Sequence, residues 1–573
     1  MRSATAQAVP PSAPGWLLRF GLAFGLLNTL LTFENRWPGF GVAYMPRLSF
    51  ELCLAVVALM GWVVWRGGLS ARAGWVWSLA FMGLVLVRYA NVTAPAVMGR
   101  PVNVYWDGRH AGELLRVAAQ AMPGWQLAAA IVALLVGGLL LALVVRWSIG
   151  VLARCLVWSP PRPWLLSGVG ACALSFAAYV PDQRDTRWFF SLPIAPTLLQ
   201  QGQLLAQVWL PGQARAALGP SPGFDGDLSG LVGARGPADV LLVFAESYGA
   251  ITFDDAVQAA ALAEPRAGLS RAIEHSGRFV VSARVTAPTF GGSSWLSHAA
   301  LLSGVDTSDP ADNDLLMTSQ RPTLVRHFAR HGYRTVGWMP GLKRPWPEGS
   351  FYGFDRLADD AGIGYQGPDF GYWRIPDQAA MALLQVQELD RTSPREPHFA
   401  VFATTSTHAP FHPLAPFTTD WQALTGPGAY RATDATAQTA SGSLVQALPN
   451  YLEGMRYQHA WMADYLGNRA PRPLVMVIVG DHQPPSLVSG RGAPWDVPVH
   501  VVGDDPALLQ RLLGSGFVPG LTPPSNALGS MPTLTSVLLK AFDAPGAHET
   551  LGIEHVVRPD DPALSKDRSL PGS

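Results

Sequence analysis

The sequence predicts a bundle of five transmembrane helices followed by a C-terminal α/β domain with a mostly parallel sheet. Three observations carry this. Only 14% of the 573 residues are charged, too few for an ordinary soluble protein of this length. Five apolar stretches crowd the first third of the chain. After them, short β-rich runs alternate with helical patterns, which argues for a sheet covered by helices.

The apolar stretches are Trp16–Phe33, Phe50–Trp65, Gly74–Tyr89, Gly124–Val145 and Trp164–Val180. A bilayer core takes about 20 apolar residues as helix, with about 17 as the lower limit. The fourth stretch qualifies alone; the others do so as a closely spaced series. Arg19 and Glu51 lie near segment ends, where their side chains reach the interface. Trp16–Phe33 lacks a small-residue cleavage site and reads as a span rather than a signal peptide. Arginine density in the short loops puts the N-terminus inside. Five crossings then carry the rest of the chain to the outer face of a bacterial cytoplasmic membrane.

Charge divides at the same place. Residues 1–182 hold 13 Arg, no Lys and 5 acidic residues, leaving 28 of the 41 basic and 36 of the 41 acidic residues to the remainder. No basic run marks nucleic-acid binding, and nothing identifies a protein partner. The three cysteines, Cys53, Cys155 and Cys172, all lie in the apolar part. The later residues can therefore form neither a disulfide nor a thiolate metal site.

Three regions follow: 1–182, transmembrane; 183–236, a connector; 237–573, the α/β domain. In the connector, Leu192–Leu210 has the spacing of a helix lying along the membrane surface, and Gly219–Gly236 is a Gly/Pro/Asp boundary. Strands are expected at Val240–Ala245, Phe279–Val285, Arg334–Trp338, Phe399–Thr404, Leu474–Val479 and Val497–Val502. Thr323–His331 and Tyr451–Leu466 are helical patterns between them. In open sheets of this kind, sites gather beyond the carboxyl ends of strands.

Three such ends carry chemistry. Glu246 follows the first strand, Asp481 and His482 follow the fifth, and His408 lies just beyond the fourth. Carboxylate oxygen and imidazole nitrogen are ordinary ligands for one divalent ion, Mn²⁺, Zn²⁺ or Mg²⁺. Alone, Glu246 could cap a helix and Asp481-His482 could form a turn; together they argue for a metal. A fourth stretch, GGSSWLSHAALLSG at 291–304, reads as a helix that starts with bare hydroxyls. Helix N-termini favour anions, and a serine there beside a cation can ionise and attack phosphorus.

In this order, Glu246, the Ser294 region, His408 and Asp481-His482 resemble the sulfatase branch of the alkaline-phosphatase superfamily over residues 238–503. Preceded by five spans, the chain is similar to membrane phosphoglycerol and phosphoethanolamine transferases, such as lipoteichoic acid synthase. Sulfatases carry C/S-x-P-S-R and a small apolar run to Gly; here Ser294-Trp295-Leu296-Ser297-His298 precedes AALLSG. That register implies Ser294, not Ser293, as the nucleophile. Leu296 and His298 replace the Pro and Arg that assist oxidation to formylglycine, so sulfatase activity is not expected. Serine stands where the transferases usually carry threonine, and the cysteine-free domain departs from the disulfide-rich phosphoethanolamine transferases.

The resemblance implies an alkaline-phosphatase-like (sulfatase) domain with Glu246, Ser294, Asp481 and His482 as metal ligands. It implies that His408 is catalytic and contacts substrate. In GLKRPWPEGSFYGFDR it implies Arg344 and Trp346 as substrate-binding residues, with Lys343 as the alternative. The implied reaction moves phosphoglycerol, or a related headgroup, from a membrane phospholipid to a glycan or lipid acceptor hydroxyl through a phosphoserine. A phosphoethanolamine transferase, a phosphodiesterase or sulfatase-like hydrolase, and a catalytically inactive sensor remain the alternatives.

Overall fold

The computed structural model describes residues 13–36, 39–105, 107–108, 112, 123–157, 161–179, 189–209, 218–343, 346–371, 373–390, 396–436, 446–471 and 473–544. The chain forms two compact units, residues 1–97 with 101–213, and 98–100 with 214–573.

The first unit contains α1 (Ala13–Thr32), α2 (Phe50–Arg66), α3 (Ala71–Met98), α4 (Gly124–Val157), α5 (Arg162–Tyr179) and α6 (Ala195–Trp209). Among the described residues each apolar stretch is helical apart from Phe33, but the count of five spans needs correction. Three helices among the described residues are long and apolar enough to cross a membrane: Gly15–Thr32 of α1, then α3 and α4. The 17 residues of α2 reach only about 25 Å at helical rise, short of a hydrocarbon core of about 30 Å. In α5, Arg162, Ser167, Ser175 and several glycines and alanines dilute the apolar run. The helix α6 covers most of Leu192–Leu210, where the sequence predicts a helix. Its start is pinned by polar groups: Arg88 donates to the carbonyls of Phe33 and Leu192, and Glu51 accepts from the backbone N–H of Ile194.

The second unit is built on one eight-stranded sheet. Its strands are β1 (Asp239–Ala245), β2 (Phe279–Thr286), β3 (Arg334–Trp338), β4 (Arg356–Ala358), β5 (His398–Ala403), β6 (Leu474–Gly480), β7 (Asp496–Gly503) and β8 (Val518–Pro519), in the order β8-β2-β7-β6-β1-β5-β3-β4. The run β6-β1-β5-β3-β4 is parallel. At the other side β7 is antiparallel to both β6 and β2. Hence β2 points the same way as the parallel strands, and the carboxyl ends of β1, β2, β3, β5 and β6 share one edge.

Alternation explains the apolar strands. On β1, Leu241, Val243 and Ala245 enter one core, with Trp338, Trp461 and Tyr465. Val240, Leu242 and Phe244 enter the other, with Phe328, Leu534 and Phe542. A strand covered on both faces reads as a continuous apolar run. Part of the expected connector joins this second core: Phe224, Leu228 and Leu231 are buried in it, and Asp543 accepts from the N–H groups of Asp227 and Leu228.

Candidate active site

The turn after β1 delivers Glu246. Its backbone N–H donates to Thr404 Oγ1 at 2.9 Å, and its carbonyl accepts from Thr407 Oγ1. Asp481 and His482 follow β6 directly. Gly480 precedes them because a Cβ there would run into the carbonyl of Tyr248. Asp481 Oδ1 accepts from Ser247 N at 2.8 Å and His482 N at 2.7 Å, which locks the β1 and β6 turns together. The helix α7 (Ser294–Ser303) begins at Ser294. It is docked by Ser297 Oγ, which donates to the Asp481 carbonyl, and closed by Gly304 at φ +68.

These elements bring four of the expected residues together. Ser294 Oγ donates to Glu246 Oε2 at 3.0 Å and lies 3.2 Å from His482 Nε2. His482 Nε2 is 3.4 Å from Glu246 Oε1 and 3.7 Å from Asp481 Oδ2. Glu246, Asp481 and His482 are all buried, and one ligand atom from each lies within 4.8 Å of the others. Ser293 heads the helix with φ 66 and makes no capping bond with its side chain.

The electrostatics suit a cation. Burial and the neighbouring Glu246 push Asp481 up to about 8. Burial alone would lower His482, yet the Asp481 and Glu246 carboxylates push it up to about 9. Burial opposes ionisation of Glu246 too, but His408 and His482 hold it well below the usual carboxylate range. Among the described residues, His482 is the ion-pair partner of both carboxylates. Its Nδ1 faces the Gln483 carbonyl at 2.8 Å. A carbonyl only accepts, so Nδ1 donates; the carboxylates hold a proton on Nε2, and a cation taking that proton's place would meet the Nε2 lone pair. Two carboxylates, an imidazole lone pair and a hydroxyl converging in a buried spot form a donor set that fits a divalent metal.

His408 ends the turn after β5. Its N–H donates to the Thr405 carbonyl at 3.0 Å, and its Nδ1 donates to the Ala409 carbonyl at 2.6 Å, which leaves Nε2 for other partners. Trp346 is half-buried, 5.6 Å from the Tyr352 ring, and packs on the core. Lys343 is exposed, and Arg344 lies outside the described residues. Sequence reasoning missed Thr404 and Thr407, which tie Glu246 to the His408 turn; the run TTST before His408 was the available signal. It also missed Trp373, whose ring lies 4.3 Å from that of His408.

Residues 279–497 match the Sulfatase family model. The match covers Ser294, His408, Asp481 and His482, and begins after Glu246. Several solved structures are similar to part of the chain. One is a protein in the alkaline phosphatase superfamily from Vibrio parahaemolyticus, 17% identical with TM-score 0.31, covering 52% of this chain and 69% of its own. Another is the lipoteichoic acid synthase LtaP from Listeria monocytogenes, 14% identical with TM-score 0.35, covering 58% and 76%. A third is the Streptococcus pyogenes phosphoglycerol transferase GacH in complex with sn-glycerol-1-phosphate, 11% identical with TM-score 0.31, covering 53% and 84%. No curated protein matches the chain in sequence.

Proposed function

We propose that this protein is a metal-dependent membrane phosphotransferase, which moves phosphoglycerol or a related headgroup from a phospholipid to an acceptor hydroxyl. The observation that carries the reading is the Ser294 hydroxyl at the first residue of α7, 3.0 Å from Glu246 and 3.2 Å from His482. A serine used only as a cap would bond its own helix; this one faces the ligand set instead. The apolar helices of the first unit support a lipid donor, with the catalytic unit on the extracytoplasmic side.

Glu246, Asp481, His482 and Ser294 would hold the metal, which when bound supplies the positive charge that favours an ionised serine and offsets charge on the phosphoryl oxygens. Ser294 Oγ attacks phosphorus, and its proton leaves toward Glu246 Oε2, its hydrogen-bond acceptor. The bond from phosphorus to the diacylglycerol oxygen breaks, and His408 Nε2 gives that oxygen a proton. In the second half, the acceptor hydroxyl gives a proton to His408 as its oxygen displaces Ser294, and the Ser294 oxygen takes its proton back from Glu246. The positive end of the α7 dipole lies at Ser294 and favours the same negative charge. Arg344 and Trp346 remain the proposed headgroup contacts, with Arg344 supplying charge.

The test is a covalent adduct. Incubation of the full chain with a phosphatidylglycerol analogue and Mn²⁺ is expected to leave a glycerophosphate mass on the peptide containing Ser294. Ser294→Ala is expected to abolish adduct and turnover, and Ser293→Ala only to weaken them. An adduct on Ser293 or Thr289, or normal turnover by Ser294→Ala, refutes the covalent step.

A further inference from the structure

The turn Thr404–His408 is gripped from the side opposite the metal ligands. Asp377, fully buried at the first residue of α8 (Asp377–Leu384), accepts from Thr405 N at 2.7 Å and Thr405 Oγ1 at 3.3 Å. Its other oxygen accepts from Ser406 N at 3.2 Å. The Ser406 hydroxyl lies 3.4 Å from the Asp377 N–H. Thr404 and Thr407 face the other way, onto the backbone of Glu246. Thus the four residues before His408 are shared between two anchors, the outer pair on Glu246 and the inner pair on Asp377, and the imidazole is carried at the end of a fully bonded turn.

The ring itself meets Trp373, four residues before Asp377. The two ring centres are 4.3 Å apart with planes at 58°. Room for the indole comes from Gly341 after β3, where a Cβ would lie 3.3 Å from Trp373 and 3.1 Å from Thr405. Backbone placement supports the contact. Arg374 is left-handed at φ 56, and its side chain is tied to Asp360 at 2.7 Å. The segment 373–377 therefore holds His408 twice, once through its ring and once through its turn.

We propose that Trp373 and Asp377 are positioning residues that act through His408, fixing the direction of its Nε2. Its kinetic arm rests on the phosphotransfer reading; its spectroscopic arm does not. The kinetic arm follows hydrolysis of bis(4-nitrophenyl) phosphate by the full chain with Mn²⁺. Trp373→Phe and Asp377→Asn are each expected to lower kcat on the order of 10- to 100-fold, the effect of a misplaced catalytic group, with KM unchanged. In a His408→Gln background neither is expected to lower it further, since effects that run through one residue are not additive. Effects that multiply in that background overturn the proposal.

The spectroscopic arm uses 13C-histidine and Mg²⁺. The Cε1 resonance that disappears in His408→Gln is expected to shift or broaden in both variants. If neither variant moves it, the proposal fails. Absence of any phosphodiester turnover would count against the phosphotransfer reading, and the resonance would then decide the positioning alone. Should Trp373→Phe fail to fold, Asp377→Asn decides both arms.

Discussion

Asp377→Asn should reverse the sign of its effect on stability with pH. Burial pushes the Asp377 carboxyl up from 3.8 to about 6, against the pull of its bonds from Thr405 and Ser406. The folded state thus holds the proton more tightly than the unfolded state. Stability is fully present below pH 4, falls as pH rises from about 4 to about 6, and then levels. The gap corresponds to about 3 kcal/mol. The titratable groups facing Asp377 are the phenols of Tyr430 and Tyr457, both driven up by burial, so they stay neutral across this window. The amide variant carries no charge to desolvate and keeps a carbonyl for Thr405 N. It points an NH₂ at the Ser406 N–H, and that unmatched donor costs about 1–3 kcal/mol. Below pH 4 the variant should therefore be less stable than the parent by about that amount; above pH 7 it should equal or exceed it. The assay is the difference in unfolding midpoint between the two full chains in detergent, from pH 3.5 to 8 — roughly the span of the expected titration — with chelator present throughout. A difference that stays constant with pH refutes the argument.

Two further outcomes concern the metal. Glu246→Ala and Asp481→Ala are expected to lose the bound divalent ion, while His408→Ala keeps it and loses turnover; metal analysis of the purified variants decides, and loss of metal in His408→Ala would place that residue among the ligands. Ser247→Gly is expected to leave stability within about 1 kcal/mol, because relief of its left-handed backbone offsets loss of the bond from Ser247 Oγ to Glu246 Oε1 at 3.0 Å; Mn²⁺ affinity should fall as that carboxylate loosens, and an unchanged titration would show that the bond does not orient the ligand.

The sheet was legible because β1 and β6 are covered on both faces and so write uninterrupted apolar runs that stop at their chemical ends. Glu246 and Asp481-His482 stand out for that reason alone: a charged residue directly after seven buried ones has to be stabilised by something. Ser294 was legible through the small apolar run behind it, since Ala299, Ala300, Leu301 and Leu302 are all buried. The spans were over-read because an apolar run marks a helix but not its reach or its evenness: α2 ends too soon, and α5 is diluted by polar and small residues. Trp373 and Asp377 were not legible. Trp373 sits in a loop and Asp377 at the start of α8, in a stretch, YWRIPD, that has no period, and each acts on a turn about 30 residues further along the chain. Their meaning exists only once β3 and β5 are neighbours in the sheet, which no local pattern states.

Backbone strain adds a reason to group these residues. Among the described residues, the non-glycine positions with positive φ are Leu228, Ser247, Ser293, Arg374 and Phe411. Four of the five stand beside site residues: Ser247 follows Glu246, Ser293 precedes Ser294, Arg374 follows Trp373, and Phe411 closes the turn begun at His408. Such conformations cost about 1–3 kcal/mol each and persist where the surroundings over-determine them. The surroundings here do so. Ser247 is held by Asp481 through its N–H and by the Tyr451 hydroxyl through its carbonyl. Arg374 is held by Asp360, and the Phe411 N–H donates to the His408 carbonyl at 2.8 Å. Parallel strands deliver their ends side by side but pointing onward, away from one another. Turning their side chains back toward one spot requires a sharp reversal at each end, and a left-handed residue is the shortest way to make it. By that logic Trp373 belongs with Glu246, Ser294 and His408 on the geometry of its backbone, independently of the ring that touches it.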